Sequence, residues 1–174
     1  KEAVSSTHMP FTGPWTIEVP LRFRVVGRQK KGAELATCSL EECLAEAVAA
    51  ERLEGPNQYE LEGGRRVDAS KRVLLDVAPR VLVLHINRTS WDFNGVSKIQ
   101  THVRCPFELS LDPYQVDGGP ALRYELQSIV AHHGHSMTGG HFTAYGRRLG
   151  DPDTWLHFND ARVTKVQPKE VSAA

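Results

Sequence analysis

The chain has 174 residues, which is long enough for one domain with a sizeable hydrophobic core. Its 21 Lys and Arg residues balance 21 Asp and Glu residues, so charge gives no reason to expect nucleic acid or an anionic membrane as a partner. No apolar run approaches the roughly 20 residues of a spanning helix, and no signal peptide opens the chain. The three cysteines make no disulfide framework and fit a reducing compartment.

The N-terminal part of the chain carries few structural signals. Residues 1–14 are polar and interrupted by Pro and Gly, so we expect a disordered terminus or a cut end there. Apolar residues alternate with others over residues 15–26, which predicts one or two half-buried strands broken at Pro20.

A helix is predicted from Ser39 to about Leu53. Ser39 and Glu42 have the spacing of a capping box, and the Gly-Pro pair at 55–56 ends the helical pattern. The apolar stripe of this helix comprises Leu40, Cys43, Leu44, Ala47 and Val48. The pattern therefore predicts one helix with its apolar face on the core.

Strands dominate the remainder of the chain. Strands are predicted at 71–77 and 81–88, and the second is so apolar that we expect it to be buried on both faces. Asn94-Gly95 is typical of a hairpin turn. Further strands are predicted near 98–104, 122–131, 141–148 and 154–158. One helix with many closely spaced strands predicts an α+β domain with a mainly antiparallel sheet.

Three strings near the C-terminus carry candidate chemistry: YELQSIVAHHG at 124–134, GGHFTAY at 139–145 and WLHFND at 155–160. They predict a strand, a loop, a second strand opening on Gly-Gly-His, and a turn after a third strand. A histidine at a strand start, with an amide or carboxylate on a nearby strand, supplies two of the three members of a nucleophile–base–orienter triad.

These strings resemble the C-terminal catalytic box of the ubiquitin-specific proteases, a family of cysteine deubiquitinases. The family pattern is Tyr-x-Leu-x-Ala-Val-x-x-His-x-Gly, a loop, Gly-His-Tyr/Phe, and then Trp-x-x-Phe-Asn/Asp-Asp-x-x-Val. The matching positions are Tyr124, Leu126, His132, Gly134, Gly140, His141, Phe142, Trp155, Phe158, Asn159, Asp160 and Val163. Upstream, strings at 79–88, 98–111 and 39–44 are similar to further family motifs.

The resemblance covers roughly residues 35–170 and implies that 1–174 is a single domain. It implies the fingers and palm portion of a papain-like cysteine protease domain of ubiquitin-specific protease type. His141 would be the general base, Asn159 the residue that orients it, and Asp160 a supporting carboxylate. The implied substrate-binding residues are Gly139, Gly140 and Phe142. Ubiquitin ends in Gly-Gly, so a narrow slot beside His141 would suit it.

The resemblance does not extend to the family's nucleophilic cysteine. The family's cysteine follows Gly-x-x-Asn-x-Gly-Asn-Thr at a helix start, and no such string occurs here. Cys38 precedes the predicted helix, where a helix dipole could lower its pKa, but it lacks the flanking Asn and Gly. Cys43 falls on the apolar stripe and Cys105 precedes Pro106. A second segment or chain carrying the catalytic Cys is therefore expected, with this chain cut at both ends.

The implied activity of the parent protein is thiol-dependent hydrolysis of the isopeptide bond after the C-terminal glycine of ubiquitin or polyubiquitin, without a cofactor. One alternative is an inactive pseudo-deubiquitinase or ubiquitin-binding scaffold. Another is metal-dependent hydrolysis through His132, His133, His135 and His141. Adjacent strand residues point to opposite faces, however, so His132 and His133 cannot readily share a metal.

Many members of the family carry a four-cysteine zinc ribbon. Here Leu61 and Gly64 stand where thiolates would be, so no zinc is expected. The strings at 84–95, 132–134 and 140–142 are most similar to the branch anchored in the mitochondrial outer membrane. This resemblance implies that the protein lies on the cytosolic face of that membrane. The segment that would anchor it is absent from this sequence. That branch typically has serine at the third triad position, so Asn159 favours the wider family and a cytoplasmic location.

Overall fold

A four-stranded antiparallel sheet at the C-terminal end of the chain carries the candidate site. The structure, a computed structural model, describes residues 16–20, 37–76, 79–93, 95–117, 119–136 and 138–174, with backbone alone for residues 16–20 and 92. Residues 1–14, expected to be a disordered terminus or cut end, lie outside the described residues.

The described residues form sixteen strands and two α-helices. The strands in chain order are β1 (Thr16–Pro20), β2 (Thr37–Ser39), β3 (Glu51–Leu53), β4 (Tyr59–Glu60), β5 (Arg66–Val67), β6 (Ala69–Lys71), β7 (Val83–Asn87), β8 (Thr89–Asp92), β9 (Gly95–Lys98), β10 (His102–Arg104), β11 (Glu108–Ser110), β12 (Arg123–Glu125), β13 (Ser128–His133), β14 (His141–Arg148), β15 (Asp151–Asn159) and β16 (Arg162–Val166). The helices are α1 (Leu40–Ala47) and α2 (Pro168–Val171).

The strand pairing is mostly antiparallel, as predicted. Strands β13, β14, β15 and β16 pair in sequence order, because short hairpins connect them. Antiparallel pairs also join β3 to β6, β4 to β5, β8 to β9 and β11 to β12. Two pairs are parallel, β1 with β7 and β2 with β10. The result is an α+β arrangement with little helix.

The predicted capping box is confirmed, but the predicted helix is too long. Ser39 Oγ accepts from the backbone N–H of Glu42, and a Glu42 carboxylate oxygen accepts from the N–H of Ser39. Helix α1 nevertheless ends at Ala47, and residues 51–53 pair with β6 instead. The apolar stripe stops at Val48, so further helical turns would bury nothing, while strand pairing satisfies the backbone.

Helix α1 covers the main hydrophobic core. Its buried residues pack with β2, β10, β11 and the turn after β11; the cluster comprises Cys38, Leu40, Cys43, Leu44, Val103, Leu109, Leu111 and Tyr114. The Tyr114 hydroxyl donates to the Glu41 carbonyl at 3.2 Å, which fixes the turn beneath the helix. Burial of these side chains is the main force that holds the helix in place.

Other predicted strands are shorter or more exposed than expected. Strand β7 is not buried on both faces, because Val83 is 50% exposed while Leu84 and Ile86 face the core. Strand β6 ends at Lys71, and Leu75 makes only an isolated bridge to Gln115. The predicted strands at 98–104 and 122–131 are each divided in two.

The β8–β9 hairpin was predicted from the sequence, whereas the β4–β5 hairpin was not. Strands β8 and β9 pair across the turn that precedes Gly95, as Asn94-Gly95 predicted, although Asn94 itself is not described. The short β4–β5 hairpin turns at Gly63 and Gly64, with φ values of 87° and 79°. Leu61 N–H donates to the Arg65 carbonyl at 2.8 Å, so backbone bonds close the hairpin.

Candidate active site

His141 and Asn159 lie on one face of the four-stranded sheet. His141 is the first residue of β14 and Asn159 is the last of β15. Tyr145 pairs with His157 across these strands, and their rings stack with centroids 4.5 Å apart. Alternate residues of a strand share a face, so the register also brings His141 and Asn159 together.

Their side chains form a hydrogen bond. The Nε2 atom of His141 is 2.7 Å from Oδ1 of Asn159. An amide oxygen only accepts, so Nε2 carries the proton and donates it. In the neutral ring, Nδ1 then keeps a lone pair and can accept a proton. The imidazole is exposed, so this nitrogen is open to a group that approaches from outside the described residues.

Asp160 follows Asn159 in the turn between β15 and β16. Its φ of 48° is in the left-handed region, which Asp tolerates better than most residues. Asn159 pairs with Arg162, so Asp160 occupies the turn itself. Within the described part of the chain, no hydrogen bond links Asp160 to His141. The structure therefore brings Asn159, but not Asp160, into contact with the imidazole.

Gly140 sits against the end of the preceding strand. A Cβ built on Gly140 would overlap His132 Nε2 and the carbonyl oxygen of His133. By contrast, a Cβ on Gly139 would have no atom within 4 Å. Gly140 is thus required for the packing of the chain beside His141, whereas the position of a Gly139 side chain is open space.

Phe142 lies on the opposite sheet face from His141. Its ring contacts the imidazole of His132, with centroids 4.6 Å apart, and the side chain is 62% exposed. His133 pairs with His141 across β13 and β14, and its Nε2 is 2.7 Å from the Thr143 hydroxyl. The two adjacent histidines therefore point to opposite faces, as strand geometry predicted.

The three cysteines form a separate cluster in and beside the core. Cys38 and Cys43 are buried with their sulfur atoms 3.6 Å apart. Burial raises the pKa of Cys38, and burial together with the Cys38 thiol raises that of Cys43 to about 12. Burial also raises the pKa of Cys105. The lowered pKa considered for Cys38 was wrong, because burial outweighs any help from the start of α1.

Two further features bear on the alternatives. Among the described side chains, no three His, Cys, Asp or Glu residues are grouped closely enough to hold a metal ion. None of the described helices is long and apolar enough to cross a membrane. Trp155 is buried, with its ring tilted against that of Phe107 and the ring centroids 5.7 Å apart, whereas Trp91 is 78% exposed on β8.

Comparison with known proteins identifies the family. A family model described as ubiquitin carboxyl-terminal hydrolase matches residues 17–174. The chain belongs to the ubiquitin carboxyl-terminal hydrolase family. Human ubiquitin carboxyl-terminal hydrolase 3 is 30% identical over 165 residues, covering 91% of the chain and 31% of the human protein. Xenopus laevis ubiquitin carboxyl-terminal hydrolase 44-A is 34% identical over 181 residues, covering 98% of the chain and 25% of that protein.

Solved structures of this hydrolase family share the fold. A chain of the SAGA DUB module of Ubp8, Sgf11, Sus1 and Sgf73 bound to monoubiquitin has a TM-score of 0.68 and 28% identity, covering 80% of this chain and 32% of that one. The same module bound to ubiquitin aldehyde gives a TM-score of 0.68 and 26% identity, covering 80% and 33%. The chain therefore has the ubiquitin-specific protease fold and spans less than a third of the curated relatives described above.

Sequence reasoning missed the surroundings of His132 in this hydrolase domain. Lys98 was noted only as part of a family-like string, yet its ammonium contacts His132 and Gly134. The sequence placed Lys98 at the start of a predicted strand, shortly after the Asn94-Gly95 turn. Its partners are 34 and 36 residues away, however, and no local pattern reports so distant a contact.

Proposed function

We propose that the protein to which this chain belongs is a thiol-dependent deubiquitinase. It hydrolyses the isopeptide bond between the C-terminal glycine of ubiquitin and a lysine amine. The hydrogen bond from His141 Nε2 to Asn159 Oδ1, at 2.7 Å, carries this proposal. It leaves Nδ1 of an exposed imidazole free to take a proton, as a cysteine protease requires.

In the first half of the proposed reaction, His141 Nδ1 accepts the proton of a cysteine thiol. The thiolate attacks the carbonyl carbon of ubiquitin's last glycine, and the carbonyl electrons move onto oxygen. When the C–N bond breaks, the imidazolium returns its proton to the departing lysine amine. Asn159 keeps the ring in the orientation that makes both transfers possible, without itself accepting a proton.

In the second half, water hydrolyses the thioester. His141 Nδ1 accepts a proton from the attacking water as the C–O bond forms, and the imidazolium returns that proton to the sulfur when the C–S bond breaks. The thiol is regenerated, and ubiquitin leaves as a carboxylic acid that loses its proton to solvent. This sequence needs no metal or other cofactor, since the base, the nucleophile and water account for every bond made and broken.

The nucleophile of the proposed enzyme lies on a segment or chain other than this one. Cys38, Cys43 and Cys105 have raised pKa values, and Cys38 and Cys43 are buried beneath α1, so their thiols are poor nucleophiles at neutral pH. The raised values support a papain-like arrangement in which another segment brings its cysteine to the exposed imidazole of His141.

Open space at Gly139 supports a role in substrate binding. No atom lies within 4 Å of a Cβ built there, so an extended peptide can approach the backbone closely. Gly140 and Phe142 flank His141 along the chain and are proposed as substrate-binding residues through their backbone, since the Phe142 ring packs on His132 on the other sheet face. The Gly-Gly end of ubiquitin or polyubiquitin has no side chains, which is what a narrow slot beside His141 would select. Asp160 is proposed only as a supporting charge near the turn.

The proposed location is the cytosolic face of the mitochondrial outer membrane, on the basis of the short strings at 84–95, 132–134 and 140–142. Asn159 favours the cytoplasm as the alternative. Cell fractionation of the tagged full-length protein distinguishes them. Recovery with outer-membrane vesicles supports the first location, and recovery in the cytosol supports the second.

The test of function uses the full-length protein with ubiquitin–aminomethylcoumarin and with ubiquitin that ends in a propargyl amide. We expect hydrolysis, one covalent adduct, and loss of hydrolysis in the His141→Ala variant. An adduct on a cysteine outside residues 1–174 supports the proposal that this chain supplies the general base and another segment supplies the nucleophile. Binding of ubiquitin with neither hydrolysis nor adduct would instead support the scaffold alternative. Activity abolished by a chelator and restored by zinc would support metal-dependent hydrolysis.

A further inference from the structure

Lys98 ties the β8–β9 hairpin to the segment that precedes His141. Its Nζ is 2.8 Å from the His132 carbonyl oxygen, 2.8 Å from the Gly134 carbonyl oxygen and 3.1 Å from His132 Nδ1. A lysine ammonium has three N–H donors and no acceptor. The three acceptors therefore match the donors of the ammonium one for one.

The base of this lysine is itself held in place. Lys98 is the last residue of β9, and the next residue, Ile99, donates its N–H to the Arg88 carbonyl at 2.8 Å. Arg88 in turn donates from its guanidinium to the carbonyl oxygens of Ile99 at 3.2 Å and Thr101 at 2.5 Å. The ammonium therefore projects from a fixed backbone, so its position can constrain the partners that it contacts.

His132 transmits this constraint to the neighbours of His141. Because the ammonium can only donate, His132 Nδ1 accepts and Nε2 carries the proton of the neutral ring. That Nε2 lies where a Cβ on Gly140 would be, and the ring contacts Phe142 at 4.6 Å. The imidazole of His132 is thus packed against the residues on both sides of His141.

Gly134 provides a second connection. Its φ is 130°, and a Cβ built on it would lie 3.2 Å from the Gly140 Cα and 3.3 Å from the Gly139 carbonyl oxygen. The two ends of the segment from Gly134 to Gly140 are therefore in direct backbone contact. Lys98 holds the Gly134 carbonyl and so fixes one end of this segment. It also holds the His132 ring, which packs against Gly140 at the other end.

We propose that Lys98 is a positioning residue for the general base. It acts through His132 and Gly134 to fix the backbone from Gly140 to Phe142, and with it the direction of the His141 imidazole. Lys98 touches neither substrate nor reacting atoms in this role. The inference rests on the proposed function, because it assigns His141 the role of base.

The charges around His132 agree with this geometry. Burial, followed by the charge of Lys98, lowers the pKa of His132, which favours the neutral ring that can accept from the ammonium. Burial and the charge of Arg88 lower the pKa of Lys98. Loss of the ammonium would leave two carbonyl oxygens and an imidazole nitrogen without their donor.

The main experiment measures steady-state kinetics of the full-length protein with ubiquitin–aminomethylcoumarin. The variants are Lys98→Met, which keeps the length of the side chain, and Lys98→Arg, which keeps the charge. Lys165→Met is the control, since Lys165 is exposed on β16. We expect Lys98→Met to lower kcat about tenfold to a hundredfold with KM changed by less than about twofold. Lys98→Arg should retain more kcat than Lys98→Met, and the control should match wild type.

A second readout does not depend on activity. Amide hydrogen exchange over residues 139–142 should be about tenfold faster in Lys98→Met than in wild type, with exchange in α1 unchanged. Unchanged exchange over residues 139–142, or an unchanged kcat, would overturn the role of Lys98. If wild type lacks activity, the proposed function fails while the exchange result still decides this inference.

A third readout uses wild type alone, so it survives a variant that does not fold. Histidine labelled with 15N reports which ring nitrogen carries the proton. His132 should be neutral at pH 8 with its proton on Nε2. A proton on Nδ1 of His132 would contradict the hydrogen bond from Lys98 and remove the basis of the proposal.

Discussion

The Nε2 atom of His141 donates a hydrogen bond to Oδ1 of Asn159 at 2.7 Å, across the neighbouring strands β14 and β15. This one contact fixes the tautomer of the imidazole, because an amide oxygen can only accept. The opposite ring nitrogen is thereby left as the proton acceptor. Everything proposed for the reaction depends on that assignment.

Substitution of these two residues should have unequal effects in the full-length protein. His141→Ala removes the proton acceptor and should lower kcat/KM by about 100-fold or more. Asn159→Ala should lower it less, because the ring loses its orientation but keeps its basicity. Asp160→Asn leaves the turn in place but removes the proposed supporting charge, and it should lower kcat/KM by less than about threefold. Equal and negligible effects of His141→Ala and Asn159→Ala would refute the triad assignment.

A polypeptide of this sequence alone should hydrolyse no ubiquitin–fluorophore conjugate and form no adduct with an electrophilic ubiquitin. The reason is that all three of its thiols have raised pKa values and cluster around the core. Intact mass after incubation, on material shown to be folded by circular dichroism, is the measurement. An adduct at Cys38 would mean that the active site had been misassigned.

Adjacent glycines before His141 should respond differently to alanine. Gly140→Ala places a Cβ on His132 Nε2 and the His133 carbonyl, which should lower the free energy of unfolding by about 1–3 kcal/mol. Gly139→Ala meets no atom within 4 Å and should leave stability nearly unchanged. It should instead raise KM for ubiquitin substrates, if the open space receives the Gly-Gly tail. Chemical denaturation and steady-state kinetics separate the two effects, and equal losses of stability would be inconsistent with the packing at Gly140.

The buried thiol of Cys43 should make stability fall at alkaline pH. Burial raises its pKa from 9.0 to about 12, so the unfolded chain releases this proton at a lower pH than the folded chain does. Its contribution is complete below pH 9.0 and is lost as the pH rises towards about 12. The slope it adds is at most about 1.4 kcal/mol per pH unit. Urea denaturation across this range should give a flatter curve for Cys43→Ala than for wild type; parallel curves would contradict the prediction.

The domain should bind no structural zinc. A four-cysteine ribbon holds its hairpins through thiolates, and metal binding there contributes directly to folding. In the β4–β5 hairpin, backbone hydrogen bonds and the turn at Gly63 and Gly64 close the structure instead. Metal analysis of purified protein, with thermal unfolding before and after chelation, is the test. One equivalent of zinc whose removal unfolds the protein would show that the fingers were misplaced.

The sequence by itself determined the local elements and the family. The strands predicted at 141–148 and 154–158 correspond to β14 and the second half of β15, Asn94-Gly95 located the β8–β9 hairpin, and Ser39 with Glu42 located the start of α1. Each of these signals is set by neighbours within a few residues, so local chemistry is sufficient to reveal it. The predicted end of α1 and the predicted burial of β7 on both faces were wrong, because strand pairing and one-sided packing are decided by distant partners.

Only the tertiary structure decided which of the candidate residues meet. The register of β14 on β15 brings Asn159 to His141 and leaves Asp160 in the turn. These two residues are adjacent in the sequence, so composition alone could not show which of them contacts the imidazole. The contact of Lys98 with His132 joins segments 34 residues apart. Burial, which raises the pKa of Cys38, likewise depends on how α1 packs on the core. Such relations arise from folding in three dimensions, because contact between distant residues is not encoded in any local pattern.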